Sequence, residues 1–307
     1  MGVSVIIPTY KRPQLLINCV KTLISQSFVG KYEIIVVDNY CIDNTYEEYL
    51  KAFVNNPKVH YIQEPRQGLV YARHAGFFAA KYDILIFADD DAEYESKCIE
   101  EICKVYTLDT NVQAVGGKIE IKWDRTPPHW IHQYEPLLGK LNYGTETVIS
   151  DKLFINGGLF SIRKDTLKNL GGFNPDQVGE HLVGDGETGL CKKMHQQKML
   201  IGWTPHAVMH HLQFVAKNGT VEDIGRRYYN NGVGEGFHSY VTSNYKPNFS
   251  VYLRYLTALA LFPVASVVAI CSRKFFFYKC YFKGVLAFHE LWKNPKYREQ
   301  VLRRDWF

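Results

Sequence analysis

Four short apolar runs, each closed by polar residues and separated by helix-length stretches, constrain this chain more than anything else in it. They are Val3–Ile7, Glu33-Ile-Ile-Val-Val-Asp38, Val59-His-Tyr-Ile62 and Asp83-Ile-Leu-Ile-Phe-Ala88. After the first, Leu15, Leu16, Cys19, Val20, Leu23 and Ile24 recur on one helical face behind Pro13, which suits a first helical turn. Asp43-Asn-Thr-Tyr opens a second helix with Tyr46, Tyr49, Leu50 and Phe53 on one face. Gly68 to Ala80 and Ser96 to Tyr106 supply two more, and Val112–Val115 and Lys118–Ile121 read as further strand. Continuous apolar strands alternating with helices of about ten to fifteen residues form βαβ units. Their mostly parallel sheet is covered on both faces, so the expected class is α/β.

Right-handed crossovers place the C-terminal ends of such strands on one edge, where open α/β sheets bind ligands. Thr9, Asp38 with Asn39, Arg66, and the triplet Asp89-Asp90-Asp91 follow the four runs in turn. In an extended segment Asp89 and Asp91 point to one side and Asp90 to the other. Two carboxylates that close repel each other unless a divalent cation relieves them, and hard oxygen ligands suit Mn²⁺ or Mg²⁺. A solvated loop, or a cap on the helix after Ser96, is the bland alternative. An ion with few protein ligands usually holds substrate phosphates. No G-x-x-x-x-G-K-[ST] is present, and the first turn, Pro8-Thr-Tyr-Lys-Arg-Pro13, lacks G-x-G-x-x-G. P-loop and dinucleotide-binding chemistries are therefore excluded.

Charge narrows the field further. The net charge is +5, yet residues 241–307 hold 11 Lys and Arg against 3 Asp and Glu, a net of +8. The body is slightly acidic, which is not the distribution of a nucleic-acid binder. Seven cysteines without a C-x-x-C pair read as reduced thiols rather than as a disulfide or zinc framework. The chain runs from Met1 straight into a strand, so no signal peptide is expected.

In order along the chain, Val5-Ile-Ile-Pro-Thr-Tyr10, Ile35-Val-Val-Asp38-Asn39, Gly68…Ala72-Arg73…Gly76 and Phe87-Ala-Asp89-Asp-Asp91 resemble the N-terminal half of the family-2 glycosyltransferases. Asn156-Gly157-Gly158-Leu-Phe-Ser-Ile-Arg163 with Leu170-Gly-Gly-Phe-Asn174 resembles that family's central block. Gly184-Asp185-Gly186-Glu187-Thr-Gly-Leu190 resembles its acidic motif, and Pro205-His-Ala-Val-Met-His210 its metal-ligand strand. The resemblance covers residues 3 to 215 and implies a GT-A fold. It implies a metal-dependent, inverting transfer of a hexosyl-type group from a nucleoside-diphosphate sugar to an acceptor hydroxyl. Polysaccharide or glycoconjugate assembly is the expected setting. It places Thr9, Asp38, Asn39, Arg66, Arg73, Asp89, Asp90, Gly157 and Gly158 at the donor, with Asp38 on the base. Asp91, Asp89 and His210 become metal ligands, with His211 as a rival to His210. Glu187 is expected as catalytic base with Asp185 as helper, although Gly186 stands where the family usually has an acidic residue. A UDP-sugar is the favoured donor, and a saccharide or lipid-linked molecule the acceptor.

Two other readings compete: a sugar-1-phosphate nucleotidylyltransferase, which would want a glycine-rich basic first turn, and a catalytically silent glycan- or nucleotide-binding module. Trp130, beside Trp123 and Tyr134 in a proline-marked loop, could stack on an acceptor sugar or pack beneath the loop. The chain divides into a nucleotide-sugar-binding half, 1–122, an acceptor-binding and catalytic half, 123–240, and a basic, aromatic helical extension, 241–307. Tyr255 to Cys271 carries no charge but contains Pro263, at the short limit for spanning a bilayer. Lys279 and Lys283 share a helix face in the aromatic stretch that follows. Peripheral membrane contact through 251–292 is expected, with a pair of helices packed on the body as the alternative. The expected location is the cytoplasm, at the membrane's cytoplasmic face where the tail touches it.

Overall fold

Eight strands of one sheet, in the order β3-β2-β1-β4-β8-β6-β11-β5, organise the molecule, and a ninth, β7, pairs with β11. The computed structural model describes residues 1–307 except 175–176, 179–180, 183–185, 242–248 and 303–306. The strands are β1 (Gly2–Thr9), β2 (Lys31–Asn39), β3 (Val59–Glu64), β4 (Ile84–Ala88), β5 (Ala92–Tyr94), β6 (Val112–Trp123), β7 (Val148–Ser150), β8 (Leu159–Arg163) and β11 (Leu200–Gln213), with β9 (Gln177–Val178) and β10 (His181–Leu182) forming a separate hairpin. The helices are α1 (Pro13–Ile24), α2 (Thr45–Phe53), α3 (Leu69–Ala79), α4 (Cys98–Leu108), α5 (Lys164–Asn169), α6 (Gly186–Gln196), α7 (Val215–Asn218), α8 (Val221–Val241), α9 (Phe249–Val268), α10 (Arg273–Lys293) and α11 (Pro295–Leu302), and a 3₁₀ helix spans His129–Leu138.

Strands β1 to β4 are parallel, as their apolar runs predict; β1, β2 and β4 are buried on both faces, and β3 is the partly exposed edge. One core layer packs Leu16, Val20 and Leu23 of α1 with Ile99, Ile102 and Tyr106 of α4 against one face. The other packs Val70, Ala72 and Phe77 of α3 with Leu190 and Met194 of α6. The two strand segments expected at 112–115 and 118–121 are one strand. Gly116 and Gly117 continue it because a side chain there has no room: a Cβ would fall 2.4 Å from Ile155 and 2.3 Å from the Ala207 carbonyl oxygen.

Strand β8 runs antiparallel to β4, pairing Leu159 with Ala88. That register brings Gly158, just before β8, beside Asp89, just after β4. Strand β5 runs antiparallel to β11 and pairs Ala92 with His211. One sheet thus draws strands from both sides of the boundary at 122. Helix α8 packs on the helices that follow it. Helix α8 crosses α10 where Gly232 meets Gly284, and a Cβ on Gly284 would lie 2.1 Å from the Tyr229 carbonyl oxygen. Val233, Phe237, Phe288 and Trp292 fill the core of this group.

Candidate active site

The acidic triplet is the centre of the strand-end crevice. Asp89 and Asp91 turn to one side with His211, and their ligand atoms lie within 4.8 Å of one another. Asp90 turns the other way and is buried, accepting the Thr9 hydroxyl at 2.7 Å. Adjacent residues of an extended strand face opposite ways, and the same rule separates the two histidines. His210 points out to Glu95 at 3.0 Å. His211 points in, with Nε2 3.3 Å from Asp91 and Nδ1 2.9 Å from the Leu138 carbonyl oxygen. A carbonyl only accepts, so Nδ1 carries a proton and Nε2 is the nitrogen aimed at the carboxylates. The structure therefore brings His211, not His210, into the cluster.

The electrostatics match this grouping. Burial raises Asp89, and the neighbouring Asp91 charge raises it further. Burial pushes Asp90 up to about 6, against the pull of Arg12. Burial would raise Asp91 too, but the hydrogen bond and charge of His211, with Arg12, hold it low. His211 is raised because the Asp91 carboxylate outweighs its burial. Arg12 lies 2.7 Å from Asp91 and 3.2 Å from Asp90. Two carboxylates and an imidazole nitrogen, crowded and partly frustrated, fit a divalent cation.

Two cavities meet at Asp89. One, about 380 Å³, lies over the ends of β1 and β2 and is lined by Thr9, Tyr10, Arg12, Asn39 and the triplet. The other, about 630 Å³, is lined by Arg73, Gly157, Gly158 and Glu187 on the sheet side and by Glu235 and Tyr281 on the helical side. The glycines are needed as such. A Cβ on Gly157 would fall 2.8 Å from Arg73 Nη2 and 2.9 Å from Glu187 Cδ, and one on Gly158 2.8 Å from Asp89 Oδ2. Glu187 stands in the first turn of α6, where a helix end favours negative charge. Arg73, buried and stacked on Phe173, holds it at 3.3 Å.

Other expected site residues have different employment. Asp38 accepts the Cys41 amide at 2.7 Å and the Tyr61 hydroxyl at 2.6 Å, so its carboxylate braces the turn. Asn39 accepts the Gly68 amide and donates to the Arg66 carbonyl oxygen. Arg66 is paired with Glu64 and stacked on Tyr71. Trp130 does not reach the cavity: it stacks on Phe277 of α10 and under Arg273, because the apolar side of the 3₁₀ helix needs cover. Asp185 lies outside the described residues.

Four contributors escape the motif reading. Arg12 sits in the first βα turn, where a basic residue is the sole hint. Tyr94 accepts the Asp89 amide at 2.9 Å and donates to the Gly158 carbonyl oxygen at 2.8 Å, clamping the seam between the cavities. Lys11 and Tyr40, in the turns after β1 and β2, hold left-handed backbone with φ of 53° and 60°. Non-glycine residues in that region mark strain maintained by the surrounding fold, which clusters at ligand sites.

Residues 4–171 match the sequence profile described as Glycosyl transferase family 2. Glycosyltransferase AglE of Haloferax volcanii is 29% identical over 196 residues, which is 62% of this chain and 60% of that protein. Chondroitin synthase of Pasteurella multocida is 31% identical over 127 residues, 38% of this chain and 13% of its own length. The chain therefore spans less than two thirds of the length of either relative. Among solved structures, GalNAc-T7 with UDP, GalNAc and Mn²⁺ superposes with a TM-score of 0.56 at 18% identity, over 78% of this chain and 51% of its own. Mannosyltransferase PcManGT of Pyrobaculum calidifontis with GDP-Man and Mn²⁺ superposes with a TM-score of 0.59 at 19% identity, over 99% of this chain and 84% of its own. At such identities the likeness is one of fold.

Proposed function

We infer that this chain, which belongs to glycosyl transferase family 2 and has its GT-A fold, transfers a sugar from a nucleoside-diphosphate sugar to an acceptor hydroxyl with inversion. One observation carries the reading: the Asp89, Asp91 and His211 cluster lies at the seam of two cavities with a carboxylate, Glu187, on the far side of Gly157 and Gly158. The smaller cavity takes the nucleotide, and the larger takes the sugar and the acceptor.

Asp89, Asp91 and His211 would hold Mn²⁺ or Mg²⁺, which when bound stabilises charge on the departing diphosphate. Arg12 is placed to add positive charge on the same side. Glu187 removes the proton from the acceptor hydroxyl as that oxygen bonds to the anomeric carbon and the bond from that carbon to the phosphate oxygen breaks. Arg73 positions Glu187 toward the acceptor. A single base facing the leaving group across the sugar accounts for inversion. Tyr94 and the two glycines keep the seam narrow enough for both groups to reach one anomeric centre.

The test is incubation with UDP-, GDP- and dTDP-sugars with and without Mn²⁺, UDP-sugars first. Metal-dependent release of nucleoside diphosphate supports the transferase. Pyrophosphate released from a nucleoside triphosphate and a sugar phosphate would instead identify a nucleotidylyltransferase, and binding without turnover a silent module.

A further inference from the structure

Helix α9 presents an apolar surface that is left exposed among the described residues. Only a narrow stripe of it is buried, Val251, Ala258 and Ala265, at spacings of seven that follow one helical seam. Leu253, Leu256, Leu261, Val264, Val267 and Ile270 are all exposed, Ile270 by 85%. The outward Thr257 satisfies its hydroxyl within the helix, on the Leu253 carbonyl oxygen at 2.8 Å. A contiguous apolar face of this extent marks an interaction site.

Charge identifies the partner. Residues 236–289 contain Lys246, Arg254, Arg273, Lys274, Lys279 and Lys283 and not one Asp or Glu. Arg273 and Lys274, exposed, begin α10 directly after the apolar face ends. Two copies of the chain meeting through α9 would bring like charges together. A leaflet with anionic headgroups supplies both the hydrocarbon and the countercharge. A crossing orientation fits poorly, because α9 is seamed to α10 and α10 is locked to α8 at the Gly232–Gly284 crossing. Threading α9 through the bilayer would pull Lys279 and Lys283 toward hydrocarbon.

We propose that α9 lies in the plane of an anionic lipid leaflet, with Leu256, Val264 and Val267 in the hydrocarbon boundary and Arg273 and Lys274 on the headgroups. The docked helix reaches the acceptor cavity through one side chain. Arg254 of α9 pairs with Glu235 and with the Tyr281 hydroxyl, and both of these line that cavity.

Flotation of the full chain with phosphatidylcholine vesicles, with and without phosphatidylglycerol, tests this. Binding to the phosphatidylglycerol vesicles, weakened by salt, is expected. The double substitution Leu256→Glu with Val264→Glu should abolish it, with the circular dichroism spectrum retained because both positions are exposed. Lys274→Gln, which disturbs no packing, should weaken it about fivefold, and keeps the test open if the double variant misfolds. The proposal is overturned if the folded chain ignores phosphatidylglycerol vesicles, or if Leu256→Glu with Val264→Glu binds as before. It is equally overturned if light scattering finds a dimer that this pair of substitutions splits, since the face would then meet a second copy.

Discussion

The two walls of the larger cavity are built on different principles. The sheet wall, Asp89, Gly157, Gly158 and Arg73 with Glu187 of α6, hangs from strand ends and buried pairings, and the family profile covers all of it except Glu187. The helical wall, Tyr228, Glu235 and Tyr281, comes from α8 and α10, beyond residue 171 where the profile stops. The sheet wall has no room for side-chain growth at Gly157 and Gly158, and Arg73 and Glu187 pair across it while Asp89 crowds Asp91. The helical wall rests on an aromatic core and on one cation, Arg254, supplied by a helix whose other face is apolar and exposed. The contrast is one of construction: strand ends and close glycine packing set the first wall, and helix crossings over an aromatic core set the second.

Substitutions on either side should separate these roles. Glu187→Gln, at the seam, should lower transfer by about a hundred- to ten-thousandfold. Isothermal titration with the donor nucleotide should find its affinity little changed, and unchanged transfer would move the base elsewhere. Asp91→Ala should weaken metal-dependent donor binding about a hundredfold, because even a partner of a ligand commonly counts for ten- to a hundredfold. Titration with and without Mn²⁺ reads it, and His210→Ala in parallel should have little effect while His211→Ala resembles Asp91→Ala. Tyr281→Phe, on the helical wall, should raise the acceptor KM about fivefold, the worth of one hydrogen bond. A matching loss of donor affinity would erase the distinction between the walls.

The smallest effect concerns how the helical group is fastened. Asp223 at the start of α8 pairs with Arg227 at 2.8 Å and with Arg226, and Arg227 also donates to the Leu137 carbonyl oxygen. Burial would raise this carboxyl, but the two guanidinium groups hold it below its ordinary value. A depressed folded-state pKa gives stability that is present above the unfolded value near about 4 and fades as pH falls through the folded one. Asp223→Asn should therefore lower stability by about 1–3 kcal/mol at neutral pH. Melting curves of the two proteins should converge as pH falls below the depressed folded-state value of Asp223.

Much of this was legible in the linear order of residues. Alternating apolar runs and helix faces dictate a parallel α/β sheet, and strand alternation alone sets Asp89 and Asp91 apart from Asp90. Glu187, Arg73, Gly157 and Gly158 were identifiable from motif order, and they converge on one cavity. Register and long-range packing were not legible. The choice of His211 over His210 depends on the bond pattern between β5 and β11, which no local signal reveals. The role of Tyr94 appears only when β8 comes alongside β4. Trp130 is an aromatic in a proline-marked loop by sequence, and only α10, lying about 150 residues further on, makes it a packing residue.

Which segments become strand or helix, and which chemical groups stand at their ends, was determined by the order of residues, because those outcomes follow from periodicities of two and 3.6 acting over a few neighbours. The pairing of distant strands and helices decided the rest: which histidine faces the carboxylates, which side chains line each cavity wall, and which face of α9 is left exposed. A side chain's partner is a property of two chain segments at once, and neither carries it alone.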